Sequence, residues 1–387
     1  MADRVGIVAV AQTKYEASKP RQRPVELVFE VVEKLLEETG LTFAQDGSGI
    51  DSTVTCSQDF WDGRTISNVQ VMPAVGGYRR AEVKVAEDGA HAVFCAMAQI
   101  LSGRSDVVLV CAHTKESETH RNVIENAAFD PIYERPLGVD FISAAAMQAR
   151  VYMHRYGVRP EQCAQVVVKN RGNAKRNPFA QAPMDLTVED VLNSRMLASP
   201  IHQLEVKPVS DGACAVILAR EQKAKRLTAR PAWIMGISSC YDAFHLGDRD
   251  LASCDALVKA AKKAYDMASI SDPSKEVHVA EISEEFSYQE LLWSEGLGFC
   301  ERGDGGELLE KGVTAFEGKL PVNPSGGLLS GRPTNVAGLA AVAEAALQVR
   351  GEAGAHQVPG AKTAVAHGVG GPCGQLHCVV ILGSQGG

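Results

Sequence analysis

The stretch Val322–Leu339 reads VNPSGGLLSGRPTNVAGL. Glycine and proline punctuate it up to Pro333, and a run of small apolar residues then begins, Thr334–Leu347 (TNVAGLAAVAEAAL). A sister run, Gly89–Leu101 (GAHAVFCAMAQIL), is apolar nearly all round. A helix of that character is enclosed on every side. Glycine is abundant at 36 residues and aromatics make up only 6%, a balance suited to α/β layers in which helices approach strands closely.

Outward from these two helices the chain repeats itself. Arg4–Thr13 (RVGIVAVAQT) matches Pro231–Cys240 (PAWIMGISSC) as an apolar strand, and the helix near 25–41 matches Asp255–Ile270. The first of these helices carries Leu27, Val28, Val31, Val32, Leu35 and Leu36 at helical spacing. The strand Val107–Cys111 is paired here with Val277–Ile282, and Asp211–Ala219 with Gln375–Gly383. Between the halves, residues from about 115 to 200 contain two turn signals, Asp130-Pro131 and Asn177-Pro178, and a helix at Phe141–Tyr156. That segment reads as an insertion of the kind that covers an active site. The expected division is 1–115 with 200–228 as one half, 116–199 as a loop domain, and 229–387 as the other half.

The whole composition restricts function. Thirty-nine Lys and Arg against 47 Asp and Glu leave a net charge of −8, without a basic run, so nucleic acid is not an expected partner. No apolar stretch approaches the 18 to 20 residues, roughly, that a bilayer needs. The opening Met-Ala-Asp-Arg leads directly into strand-like sequence and the last strand ends near Gln385-Gly386-Gly387, so a cytoplasmic protein is expected. Ten cysteines are scattered without C-x-x-C pairs, which argues for buried thiols rather than a metal site. No phosphate loop or dinucleotide fingerprint is present.

Four segments resemble the thiolase superfamily. GIVAVAQTKY near the amino end looks like the first strand of sterol-carrier-type thiolases, and SDGACAVILA (Ser210–Ala219) looks like the strand closing a first half. Val322–Leu339 is similar to the superfamily's asparagine, paired-glycine and glycine-histidine-proline segment, and AHGVGGPCGQLHCVVIL (Ala366–Leu382) to its glycine-rich active-site loop. The resemblance implies an α/β fold of five layers, α-β-α-β-α, made of two similar halves with an inserted loop domain. It also implies coenzyme A thioester substrates and a homodimeric core.

The sequence departs from thiolases where their chemistry resides. The nucleophile turn reads Ala86-Glu87-Asp88-Gly89, with Ala86 where the cysteine stands. The activating histidine is replaced in Gly331-Arg332-Pro333 by an always-charged Arg332. The asparagine-glutamate-alanine-phenylalanine motif reads Ser283-Glu284-Glu285-Phe286, and His367 stands at or beside the acid/base cysteine. Thiolase-like aldolases that cleave β-hydroxyacyl-CoA thioesters resemble this pattern better. They share the E-D-G turn, a stretch like Asp130–Gly138 (DPIYERPLG) and one like Phe286–Glu290 (FSYQE), and their resemblance implies a zinc-ribbon/OB-fold partner subunit within a hetero-oligomer.

A retro-aldol cleavage needs a base for the β-hydroxyl proton and donors where the thioester oxygen becomes negative, with no covalent enzyme intermediate. Tyr288 is the first candidate for proton transfer, matching the tyrosine of the aldolase subgroup, or else a buried tyrosine satisfied by backbone. His367 and the glycines after it, Gly370 and Gly371, are candidates for an oxyanion site. Glu87 and Asp88 either serve the site or cap the helix they precede. Glu284 is either a partner for a histidine or Arg332 or a solvated or ion-paired glutamate. Ser325, Gly326 and Gly327 are expected along the pantetheine arm, together with Arg332, and the CoA diphosphate would fall to Lys169, Arg171 and Lys175. Cys378 reads as core. Cys373 keeps open a true β-ketoacyl-CoA thiolase with a moved nucleophile, and an inactive scaffold subunit is the remaining alternative.

Overall fold

The computed structural model describes residues 4–44 and 46–385. Met1-Ala2-Asp3 and Gly386-Gly387, quoted above at the chain ends, lie outside the described residues. Nine strands build the main sheet: β1 (Val5–Gln12), β2 (Ser52–Cys56), β3 (Glu82–Val85), β4 (Val107–Lys115), β5 (Asp211–Arg220), β6 (Ala232–Tyr241), β7 (Val279–Glu281), β8 (Thr363–Gly370) and β9 (Leu376–Gly383). The helices that matter below are α1 (Pro24–Thr39), α2 (Gly89–Leu101), α3 (Arg121–Asn126), α4 (Phe141–Tyr156), α5 (Pro160–Asn173), α6 (Asp255–Ala268), α7 (Ser287–Gly296) and α8 (Ala337–Arg350).

The strands hydrogen-bond in the order β3-β2-β4-β5-β1-β6-β9-β8-β7. β1 meets β6 only at Gly6 and Ile7, opposite Trp233 and Ala232, and this short antiparallel contact divides the sheet in two. On one side β1–β5 and β5–β4 are antiparallel and β4–β2 parallel. On the other, β6–β9 and β9–β8 are antiparallel and β8–β7 parallel. The topology corrects the pairing expected from sequence. β4, which holds Val107–Cys111, has β8 as its counterpart, whereas the Val277–Ile282 strand is β7 and corresponds to β2. With that exchange both halves run in one order. The mismatch arose because β8 carries His367 and two glycines, so it reads as a loop although His367 is in mid-strand.

Alternation along each strand assigns its faces to layers. Val108, Val110 and Ala112 of β4 and Cys214, Val216 and Leu218 of β5 turn toward α2 and α8. The intervening Leu109, Cys111, Ala213, Ala215 and Ile217 join α1 in an outer core. In the second half Ala364, Ala366 and Cys378 face the central helices, and Val365, Val379 and Ile381 join α6 and α7. The layers are therefore α1, half-sheet, α2 with α8, half-sheet, α6, the five expected. Each fully buried Val, Leu or Ile contributes about 1.5–3 kcal/mol, and both faces of both half-sheets are supplied with them. No helix among the described residues is long and apolar enough to cross a membrane.

The two central helices begin at one side chain. Asp88 is the N-cap of α2 and accepts from Ala90 N at 2.9 Å, while its other oxygen accepts from Gly338 N in the first turn of α8, also at 2.9 Å. The space is filled so closely that a Cβ at Gly338 or at Gly368 of β8 would collide with the Asp88 carboxylate. Gly338→Ala is expected to destabilise the fold by about 1–3 kcal/mol through overpacking. The same change made in an Asp88→Ala background should cost clearly less, a non-additivity that urea unfolding of the four proteins measures.

Candidate active site

A cavity of about 360 Å³ opens at the N-terminal end of the central helices. Its wall takes Ala86 from the turn before α2, Glu285 from the loop between β7 and α7, Thr334 from the segment leading into α8, and Val369, Gly370, Gly371 and Pro372 from the end of β8. Two of these segments, Val322–Leu339 and Ala366–Leu382, are among those that resemble the thiolase superfamily, the other two stand at motif positions where this sequence departs from it, and the fold brings all four to one place. The rest of the wall is Gln58 with Asp59, Phe60 and Trp61 of the short helix Asp59–Asp62, Lys84 of β3, Ile124 and Glu125 of α3, Ala127 and Ala128 after it, and Phe141 at the start of α4.

Three carboxylates line this cavity, Asp59, which is tied to Lys84, and the two glutamates Glu125 and Glu285. Glu125 Oε1 accepts from Arg121 Nε at 2.8 Å, one helical turn away, and Arg121 stands 3.9 Å from Glu285. The Arg121 guanidinium also lies over the Phe141 ring, 4.5 Å from its centre. Burial pushes the Glu125 carboxyl up, Arg121 pulls it back and the Glu285 charge pushes it up again, leaving it at about 7. Burial likewise raises Glu285, opposed by Arg121 and Lys207. A carboxyl that titrates near neutrality, as Glu125 does, suits acid–base chemistry at physiological pH.

Behind them lies a fixed charge network. Buried Glu116 accepts from Lys207 Nζ at 2.8 Å, Ser210 N at 2.9 Å, Thr334 N at 2.8 Å and Thr334 Oγ1 at 2.6 Å. Burial works against its charge, but Lys207 and Arg121 overcome that and hold it below the usual carboxylate range. Thr334 is thereby pinned on the cavity wall.

The residues singled out from sequence divide into two groups. Gly370 and Gly371 line the cavity. The others lie behind its wall. The Tyr288 hydroxyl donates to Gln148 Oε1 at 2.7 Å, and Gln148 Nε2 donates to the Cys373 carbonyl at 3.2 Å, so Tyr288 braces the loop after β8. Burial holds its phenol far above 10. The Cys373 thiol is buried too and pushed up to about 12. His367 stacks on His377 with Nε2 and Nδ1 2.9 Å apart, and burial keeps both imidazoles neutral, His377 down to about 3. Asp88 is the shared helix cap, raised by burial to about 7 against its N–H donors.

Glu284 pairs with neither a histidine nor Arg332, against the first of the two readings above. It accepts from Asn170 at 3.0 Å, Asn323 at 2.9 Å and Leu329 N at 3.1 Å, because the turn at Gly327 leaves room for a carboxylate and not for a Cβ. Burial and the neighbouring Glu290 charge push it up to about 8. Ser325, Gly326 and Gly327 are buried in that same turn, outside the cavity wall. Arg332 is turned inward, donating to Ser325 Oγ at 2.6 Å between Glu281 and Glu344, 3.6 and 3.7 Å away. Lys169 is bound inside by Glu290 at 2.8 Å and Val322 O at 2.6 Å. Arg171 is buried against the Ala182 carbonyl, and Lys175 is paired with Asp185 at 2.7 Å. These cations are engaged within the chain. Among the described residues no group of three or more His, Cys, Asp or Glu could hold a metal ion.

Arg121 and Glu125 were not singled out, and Glu285 was quoted without a role. Their signal was present: an Arg and a Glu four apart on a short helix, and a glutamate where the thiolase motif has alanine.

Residues 239–384 match the thiolase C-terminal domain-like family. Acetyl-CoA acetyltransferase of Methanothermobacter thermautotrophicus is 40% identical over 278 residues, covering 71% of this chain and 72% of that protein. The chain belongs to the thiolase superfamily. Among further thiolase relatives, the benzoylsuccinyl-CoA thiolase subunit BbsB of Thauera aromatica is 34% identical over 231 residues, 59% of this chain and 60% of that one. The solved Ltp2-ChsH2(DUF35) aldolase superposes with a TM-score of 0.84 at 25% identity, covering 98% of both chains. Human mitochondrial 3-ketoacyl-CoA thiolase superposes at 0.75 over 99% of each chain, and at 17% identity shares the fold alone.

Lys207→Met would strand the buried Glu116 charge. It is expected to cost about 3–5 kcal/mol, read as a fall in thermal unfolding midpoint, whereas Lys175→Met, at an exposed pair, should change it by less than about 1 kcal/mol.

Proposed function

We propose that this thiolase-fold chain cleaves a carbon–carbon bond in a β-hydroxyacyl-CoA thioester by a retro-aldol route. One observation carries the reading: the cavity where the thiolase motifs converge presents Ala86 at the nucleophile position and the Glu125–Glu285 pair in its wall. Thiolysis needs an attacking thiolate with a base in reach. Cys373, the remaining candidate, is a buried thiol pushed up to about 12, which favours the aldol chemistry over a relocated nucleophile. The likeness to a solved aldolase over nearly its whole length supports the same choice.

The reaction follows from the wall. The carboxylate pair takes the proton of the β-hydroxyl; the O–H electrons form the new carbonyl, the Cα–Cβ bond breaks, and its electrons move into the thioester as an enolate. The N-terminal ends of α2 and α8 converge on Asp88 behind Ala86, so their positive dipole ends and the amides of Gly370 and Gly371 favour the developing oxyanion. The proton held by the glutamates then returns to Cα. Tyr288, as a neutral phenol fixed by Gln148, supports the loop that carries those amides. Coenzyme A enters as thioester substrate. We propose, by analogy with the Ltp2-ChsH2(DUF35) assembly, a partner subunit of zinc-ribbon/OB-fold type around a homodimeric core. A cytoplasmic location and the halves and loop domain delimited above remain part of this proposal.

The decisive experiment is incubation of the purified chain, with any co-purifying subunit, with matched β-hydroxyacyl- and β-ketoacyl-CoA thioesters, followed by mass spectrometry. Release of aldehyde or ketone with a shortened acyl-CoA from the hydroxy substrate is expected. An acyl adduct on a cysteine, with CoA-dependent turnover of the keto substrate, would replace this reading by the thiolase one. CoA thioester binding with no turnover of either substrate would point to a scaffold subunit.

The pH profile gives a second check. Glu125 has a raised pKa, so it is protonated below about 7 and becomes a base above it. kcat/KM should therefore rise through about pH 7. Glu125→Gln should remove that limb and lower kcat by about 100-fold or more. Arg121→Met, which removes the charge that pulls Glu125 down, should move the limb to higher pH, while Tyr288→Phe should leave its position unchanged.

A further inference from the structure

The cavity wall is divided by charge. Phe60, Trp61, Ile124, Phe141, Val369 and Pro372 make it mostly apolar, with the small Ala127 and Ala128 after α3. Its charged lining is Asp59, Lys84, Glu125 and Glu285. Lys84 is tied to Asp59, and Arg121, behind the wall, is engaged by Glu125 at 2.8 Å and sits 3.9 Å from Glu285. Every cation at this wall is thus already matched by a carboxylate of the chain, and the carboxylates outnumber the cations. A further negative charge brought in on a ligand would meet Glu285 and find no free counter-charge. An unpaired charge in such a site is costly, because the apolar wall cannot solvate it.

Glu285 stands where the thiolase motif has alanine, so this charge is a property of this chain's wall rather than of the fold. Resting on the CoA-thioester reading above, we infer that the acyl group accepted here is uncharged and largely apolar, with a hydroxyl as its polar group beside the glutamates, and that Glu285 is the specificity-determining residue that turns away acyl chains carrying a carboxylate. A cavity of about 360 Å³ is at the lower end of the range that holds a drug-sized body, enough for a ring-bearing acyl group. The apolar rings of Phe141 and Trp61 offer it contact area, and Glu285 together with Glu125 offers two acceptors to the hydroxyl.

The test separates binding from turnover. 3-Phenylpropanoyl-CoA and 3-(4-carboxyphenyl)propanoyl-CoA lack a β-hydroxyl and cannot be cleaved, so calorimetric titration of the full chain, with its partner subunit if one co-purifies, reads recognition alone. The neutral thioester is expected to bind at least tenfold more tightly, and Glu285→Gln to narrow that ratio at least fivefold. Equal binding, tighter binding of the carboxylated thioester, or a ratio unmoved by both Glu285→Gln and Glu285→Ala overturns the inference. Cleavage is scored separately with 3-hydroxy-3-phenylpropanoyl-CoA, whose retro-aldol products are benzaldehyde and acetyl-CoA. Absence of cleavage with the binding preference intact would remove the retro-aldol reading and leave the charge selectivity standing.

Discussion

The carboxylate of Asp88 joins the two halves of the molecule beside the cavity that Ala86 and Thr334 line. Each central helix leaves its first amide groups without intrahelical partners, and here one side chain answers both, with one oxygen on Ala90 N and the other on Gly338 N. A single acceptor serving two buried helix starts fixes their separation to within the tolerance of two hydrogen bonds. Everything placed at those starts inherits that precision: Ala86 two residues before Asp88, Thr334 three residues before α8, and the end of β8, where Gly368 leaves no room for a Cβ beside the same carboxylate. Burial raises Asp88 to about 7, so the fold tolerates a strained electrostatic arrangement here in exchange for convergence.

Buried charge elsewhere is resolved in two different ways. Behind the cavity, Glu116 with Lys207, and Glu281 and Glu344 with Arg332, are enclosed ion networks whose members are supplied with donors from several elements. Such networks specify geometry more than they add stability. At the cavity itself the accounts are left open: Glu125 and Glu285 share one arginine, and the excess carboxylate is held near the pH at which it can change its proton. Rigid ion networks behind an incompletely matched pair is the arrangement that acid–base chemistry needs, since the base must be fixed in place yet free to titrate.

The sequence carried the layers because hydrophobic periodicity is a local signal. Gly89–Leu101 and Phe141–Tyr156 could be bounded to the residue, and the apolar runs Arg4–Thr13 and Asp211–Ala219 were recognisable as strands. It failed at β8, where His367, Gly370 and the Gly368 that makes room for Asp88 hide a strand whose partners lie more than eighty residues upstream and six to twenty downstream. The site was readable only as motif positions. Gly370 and Gly371 reached the cavity, but Glu284, Arg332, Lys169 and Arg171 did not. A charged residue in a motif gives no indication of which way it points; their partners, Asn323, Glu281, Glu290 and Ala182, come from distant segments. Glu125 escaped notice for the converse reason, since an Arg and a Glu four apart on a surface helix are common, and only the packing of α3 under Phe141 makes this pair different.

Arg332 shows why the departure from the thiolase motifs is structural rather than the loss of one side chain. An imidazole at that position could sit at the cavity edge, neutral and mobile. The guanidinium instead reaches inward, where Glu281, Glu344 and Ser325 surround it and His356 Nε2 donates to Glu344 at 2.7 Å. Glu281 terminates β7 and Glu344 lies in mid-α8, so the arginine ties a strand of the outer half-sheet to the central helix. Returning a histidine there would leave two buried carboxylates short of their cation, a cost set by desolvation that a neutral ring cannot offset. Cysteine at position 86 would likewise enter a wall already occupied by Glu285 and Glu125, whose charge disfavours a thiolate. The residues at the nucleophile position, at the position of its base and around them differ together from the thiolase pattern, and on the reading proposed above the acid–base work falls to Glu125 and Glu285 in the same cavity.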